Sequence, residues 1–226
     1  MNKLSLKLVL GLALGLASHF VSATLIYSDR GMFESELGDF LVDDFSSAGY
    51  FAGDGFDGSG FDSHTNTHIS NILGETRFES TGFNDNNLIA GQRAGDAYYC
   101  AGCNGSFLLD FSDTSFGTGM GVFGVGFDIR GVSEGVFGTF AFVTFGDGST
   151  ENYFLPERVD AFWGITSELA ISTIHFGLID GAANSDNSVQ RMALDNLTIG
   201  TQIPEPSSAI IALGLGLLGF KRLSRK

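Results

Sequence analysis

Between residues 121 and 199 the apolar positions fall on nearly every second residue. Phe123, Val125, Phe127 and Ile129 alternate through Gly121–Arg130, the period of a strand with one buried face. Val136–Phe145 is apolar at positions of both parities, as expected of a central strand. Gly146, Asp147 and Gly148 then turn the chain towards Tyr153 and Leu155, which predicts a hairpin. Ile171–Ile179 and Met192–Ile199 supply two further strands. Earlier in the chain the pattern is sparser. Ser28 or Asp29 caps a short helix in which Phe33 and Leu37, four apart, share a face. Leu41–Phe45 reads as the first strand, and 46–70 turns to Gly, Asp, Ser, Asn and His as a long surface excursion. Antiparallel strands separated by turns, with little helical periodicity between the two ends, predict an all-β, jelly-roll-like antiparallel β-sandwich.

The two ends follow another pattern. Lys3 and Lys7 precede an apolar run from Leu8 to Ala17 and then Val21-Ser22-Ala23, which predicts a secretory signal peptide, residues 1–23, cut after Ala23. That run is shorter than the ~20 residues a spanning helix needs. At the other end Pro204, Glu205 and Pro206 precede an apolar stretch from Ala209 to Phe220 and a basic end at Lys221, Arg222, Arg225 and Lys226. Two prolines hold the chain extended, the apolar stretch enters lipid, and the cations favour the cytoplasmic side. In that order the tail, residues 202–226, resembles the Pro-Glu-Pro C-terminal sorting signal (PEP-CTERM) of Gram-negative bacteria that export surface polymers. The resemblance implies a membrane-held intermediate whose Pro204-Glu205-Pro206 region is recognised by an exosortase-type enzyme. It concerns the destination of the chain and leaves the task of its body, residues 24–201, open.

Composition sharpens the picture of that body. The chain carries 22 Phe and 32 Gly: abundant aromatic surface for a core, with frequent turns. Its formal charge is −14. Six basic residues lie in the two ends, so the body keeps only Arg30, Arg77, Arg93, Arg130, Arg158 and Arg191 against every acidic residue but Glu205. Such a surface excludes nucleic acid as a partner and suits neutral polymers, cations or plain solubility. The segments FDIRG, FGDGS, FWGI and ALDNLTIG, within Phe107–Gly200, resemble the sandwich domains that accompany this sorting tail and, more loosely, carbohydrate-binding jelly rolls.

Candidate chemistry is thin. Cys100 and Cys103 are the two cysteines of a chain bound for an oxidising compartment and are expected to form a local disulfide. A redox pair would sit at a helix start in a βαβ setting, which Gly102 and Asn104-Gly105 oppose. Asp54, Asp57 and Asp62 lie in a glycine-hinged acidic loop suited to calcium, but their spacing matches no calcium-loop motif. The jelly-roll resemblance implies a structural calcium near the first and last strands, with Asp44 and Asp195 as its candidates. His64 and His68 lack a third ligand of matched spacing for zinc, and His175 reads as an interior or edge histidine. No GxSxG, HExxH, P-loop or dinucleotide fingerprint occurs, so no catalytic residues and no cofactor are assigned. Trp163 belongs to the core by its neighbours Phe162 and Ile165; the alternative is a sugar-stacking platform with Tyr153.

These readings lead to an exported, non-catalytic surface or matrix protein associated with exopolysaccharide. A calcium-stabilised carbohydrate-binding module is the alternative, and a secreted hydrolase a remote third.

Overall fold

The computed structural model describes residues 23–45, 67–68, 75–81, 87–90, 97–101, 106–131, 138–158, 160–178 and 192–204. They form twelve strands and one short helix: β1 (Thr24–Tyr27), α1 (Arg30–Ser35), β2 (Leu37–Asp43), β3 (Thr67–His68), β4 (Arg77–Ser80), β5 (Asn87–Ala90), β6 (Tyr98–Ala101), β7 (Phe107–Asp110), β8 (Val122–Gly131), β9 (Thr139–Phe145), β10 (Thr150–Phe154), β11 (Phe162–Leu178) and β12 (Met192–Gln202). All pairings between these strands are antiparallel. The all-β expectation holds, and the strands join into one curled sheet.

The curl is made by β11. Its first half pairs with β8 on one side and β1 on the other; its second half pairs with β7 and β9. Between the halves Ala170 takes φ 60° and the register shifts at Ile171/Thr173. A left-handed residue in a strand bends it sharply. As a result Phe176 of the second half stands edge-on to Phe127 of β8, 5.3 Å away, while Trp163 of the first half lies 5.4 Å from the same ring. The two halves of one strand thus face each other across the core, giving the body its two layers. Phe162-Trp163, which look separate from Ile171–Ile179 in the sequence, open this same strand.

Rings in succession fill the space between the layers. Phe78, Tyr99, Phe107, Phe176, Phe127, Trp163 and Tyr153 each meet the next, at centroid distances from 4.5 to 6.3 Å. Trp163 is 2% exposed, so the core reading of this residue holds. The β9–β10 hairpin forms as its turn residues dictate. Asp147 accepts from the N–H and hydroxyl of Ser149, and Gly148 takes φ 85°.

α1 lies on the outer face of the first layer. Asp29 caps it by accepting from the Met32 N–H at 2.8 Å, and Phe33 is buried while Leu37 already begins β2. Four antiparallel steps, β1–β11–β8–β12–β2, make β1 and β2 parallel and put them on opposite edges of this layer. The helix carries the chain between them across three strands. Its seat is paved with glycine: Gly124 and Gly126 of β8, Gly164 of β11 and Gly200 of β12. A Cβ at Gly126 would stand 2.7 Å from Phe33 and Phe162 ring atoms, and one at Gly124 or Gly200 would stand 2.5 Å from Leu37. The rings of Phe33 and Phe162 therefore rest directly on backbone.

Candidate functional site

Three places in the described residues bear on function: the end from which both tails depart, a charged latch at the opposite end, and the outer face of the second layer.

β1 begins at Thr24, the residue after the expected cut, and Thr24 pairs with Ser167. β12 ends at Gln202, opposite Leu37, so Ile203 alone separates the sheet from Pro204. Thr166 and Gly200 both pair with Gly124, which places Thr24 and Gln202 at the same end of the layer. Between them opens a cavity of about 310 Å³ lined by Met120, Phe123, Ser167, Glu168, Thr201 and Gln202 among others. Both segments expected to enter a membrane leave from this end. From Gln202 to Ala209 the chain reaches at most about 25 Å when fully extended. Among the described residues no helix is long and apolar enough to cross a membrane. The two apolar runs, Leu8–Ala17 and Ala209–Phe220, lie outside those residues, as do Glu205 and Pro206; Pro204 is exposed.

At the far end two arginines tie α1, β8 and β12 together. Arg30 donates to Thr198 Oγ1 (2.7 Å) and the Asn196 carbonyl (3.1 Å), pairs with Asp128 (3.1 Å) and Glu34 (3.4 Å), and lies 4.7 Å over the Phe162 ring. Arg130 donates twice to Asp195, at 3.0 and 3.2 Å, and once to Asp160. The network surrounds a bulge in β12 where Asn196 takes φ 50° and donates to Asp128 (2.7 Å). Burial pushes the Asp195 carboxyl upward, and the bonds from Arg130 and the Asn196 N–H oppose it. Asp195 is thus a partner of Arg130, and Asp44 is exposed just past β2. No group of three His, Cys, Asp or Glu side chains suited to a metal occurs among the described residues. Asp54, Asp57, Asp62 and His64 lie outside them, as does the side chain of His68. This latch was not legible beforehand, because its members lie far apart in sequence and carry no motif.

On the outer face of the second layer β9 alternates cleanly. Ala141, Val143 and Phe145 point into the core, and Phe140, Phe142 and Thr144 point away. β9 is a central strand, as its apolar run predicts, flanked by β10 and β11, and the aromatics of its outer face stay half-buried. The register sets Thr150, Asn152 and Phe154 of β10 beside Thr144, Phe142 and Phe140. His175 lies next to Phe142 on this face, 3% exposed, with Nε2 2.8 Å from Thr81 Oγ1. It is an interior histidine, as expected. Tyr153, by contrast, turns inward onto Trp163, so these two do not form an exposed platform.

Burial holds His175 down to about 4, below the 6.5 of a free imidazole. A lowered histidine stabilises the fold fully above pH 6.5 and loses that contribution as pH falls towards 4, because the unfolded chain then binds the extra proton. The loss amounts to roughly 2–3 kcal/mol. Urea unfolding at pH 7 and pH 4.5 should show that His175→Gln removes this part of the acid sensitivity. An unchanged pH slope in the variant would refute it.

Cys100 is buried in β6, and Cys103 lies outside the described residues. Residues 202–226 match the PEP-CTERM protein-sorting motif, which implies an exported protein recognised at the membrane by an exosortase-type enzyme. No curated protein and no solved structure matches the chain.

Proposed function

We propose that this is a non-catalytic protein of the cell surface or extracellular matrix, delivered by its sorting tail and retained among secreted polysaccharide. On this reading residues 1–23 are removed as a signal peptide, 24–201 form a jelly-roll-like sandwich, and 202–226 anchor the chain in the inner membrane until the exosortase acts. The observation that carries it is the join at Ile203. An interior strand of the sheet, β12, flanked by β8 and β2, runs to Gln202, the first residue of the sorting motif and one residue short of Pro204. Folded body and anchor therefore form one short-tethered unit. Intact-mass analysis of protein recovered from the exterior of native cells tests this directly. A product beginning at Thr24 and lacking the apolar tail is expected; recovery of the complete chain from the cytoplasm would overturn it.

Export also sets the state of the cysteines. In an oxidising compartment Cys100 and Cys103 close a small loop after β6, adding ~2 kcal/mol through the unfolded chain. Thiol titration of the denatured, unreduced exported protein should find no free thiol; two free thiols would exclude the bridge.

A carbohydrate-binding module is the second reading. It is favoured by the aromatic side chains that β9 and β10 turn away from the core, Phe154 among them at 53% exposed.

A further inference from the structure

We infer that the outer face of the β9–β10 hairpin is a binding surface for a neutral polysaccharide. The inference rests on the proposed retention among secreted polymers and assigns it to a particular surface. Three rings make its floor. Phe154 and Phe140 are cross-strand partners with centroids 5.2 Å apart at 62°, and Phe142 follows Phe140 along β9 at 6.3 Å. The hairpin fixes them. Ala141 and Val143, buried on the opposite face, prevent β9 from rotating, and the Asp147–Gly148 turn sets the register of β10. A receptor made of rings held by a rigid sheet loses little entropy on binding.

The occupant follows from the chemistry of the neighbours. Thr144, Thr150 and Asn152 share the face with the rings, so all six side chains presented there by the two strands are uncharged. In a chain of net charge −14 a neutral face is distinctive. The rings offer flat apolar area to the C–H faces of sugar rings, while the hydroxyls and the amide meet sugar hydroxyls. An anionic polymer, nucleic acid or anionic bilayer gains no cation from this face and is repelled by the rest of the body. A second copy would bring the same net charge with it. The face also stands well for capture. The tails leave from the end of the first layer, so a body tethered there presents the flank of the second layer to its surroundings.

The test is a pull-down of the full chain in detergent on microcrystalline cellulose and insoluble xylan, both neutral, with calcium alginate as the anionic comparison. Binding to at least one neutral polymer is expected, with a loss of tenfold or more in Phe140→Ser/Phe154→Ser. Phe40→Ser/Val42→Ser, at exposed apolar positions of β2 in the other layer, should bind as the parent does. Phe154→Ser alone keeps the test valid should the double variant unfold, since that side chain is half in solvent; a loss of threefold or more is expected. Absence of binding to both neutral polymers overturns the inference, as does equal loss in the β2 variant. A shift from dimer to monomer in the Phe154 variant, with polymer binding unchanged, also overturns it by making the face a self-association surface. Normal retention of the Phe154 variant in the native matrix would refute this face while leaving the proposed function standing.

Discussion

Phe33→Ala will lower the stability of the body by about 3–5 kcal/mol, the usual loss for a fully buried phenylalanine. Phe33 has no exposed surface and packs on Tyr27 at 5.7 Å and on Phe162 at 5.5 Å. Beneath it lie Gly126 and Gly164, so those positions have no side chain to fill the space it leaves. Gly126→Ala will destabilise by the opposite mechanism. Its methyl group would stand 2.7 Å from two ring carbons, and forcing these rings away typically costs about 1–3 kcal/mol. Together the two changes should be less damaging than their sum, because the alanine at 126 occupies part of the volume vacated at 33. Denaturant unfolding of the parent, both single variants and the double variant measures that coupling. Strict additivity would show that the glycine floor is not what seats the helix.

Export provides the second large effect. Replacing Pro204 and Pro206 together should leave nearly all of the protein in the inner membrane with its tail intact, whereas the parent should be released. The body should be untouched, since Pro204 is exposed beyond the end of β12. An unchanged melting temperature alongside the fractionation therefore separates a sorting defect from a folding defect. Normal release of the double variant would mean that the enzyme does not read this triplet. The short tether adds a physical reason to expect sensitivity here. With Ile203 as the only spacer, the stiffness of Pro204 decides how the chain leaves the sheet.

The sorting signal and the neutral face assign separate jobs to the two layers. The first layer holds Thr24 and Gln202, where the two terminal segments join the body, and, through the glycine floor, the crossover helix. The second layer carries the hairpin whose aromatic side chains remain uncommitted. Arg30 and Arg130 consolidate the first layer away from the tails, each of them pairing with two carboxylates. That engagement explains why a chain so rich in acidic residues shows no free carboxylate pair in this network.

The sequence alone was enough for whatever depends on near neighbours in the chain. Alternation marked β8, the Gly146-Asp147-Gly148 triplet marked the hairpin, and Ser28 or Asp29 marked the start of α1, because strand faces, turns and caps are set within a few residues. The sorting tail was legible for the same reason, being linear and read as extended chain. The tertiary structure decided everything that rests on pairing at a distance. The fold-back of β11 at Ala170 carries no turn signal, since an alanine with positive φ is held there by its surroundings. The glycines of β8 gave a partial clue: in Gly124-Val125-Gly126-Phe127 one face is apolar and the other is empty, which marks close approach without naming the neighbour. Phe140 and Phe142 illustrate the same limit, for composition cannot tell an aromatic buried under a second layer from one left facing outward. Periodicity gives each strand its two faces; only the packing of the other strands determines which of them is covered.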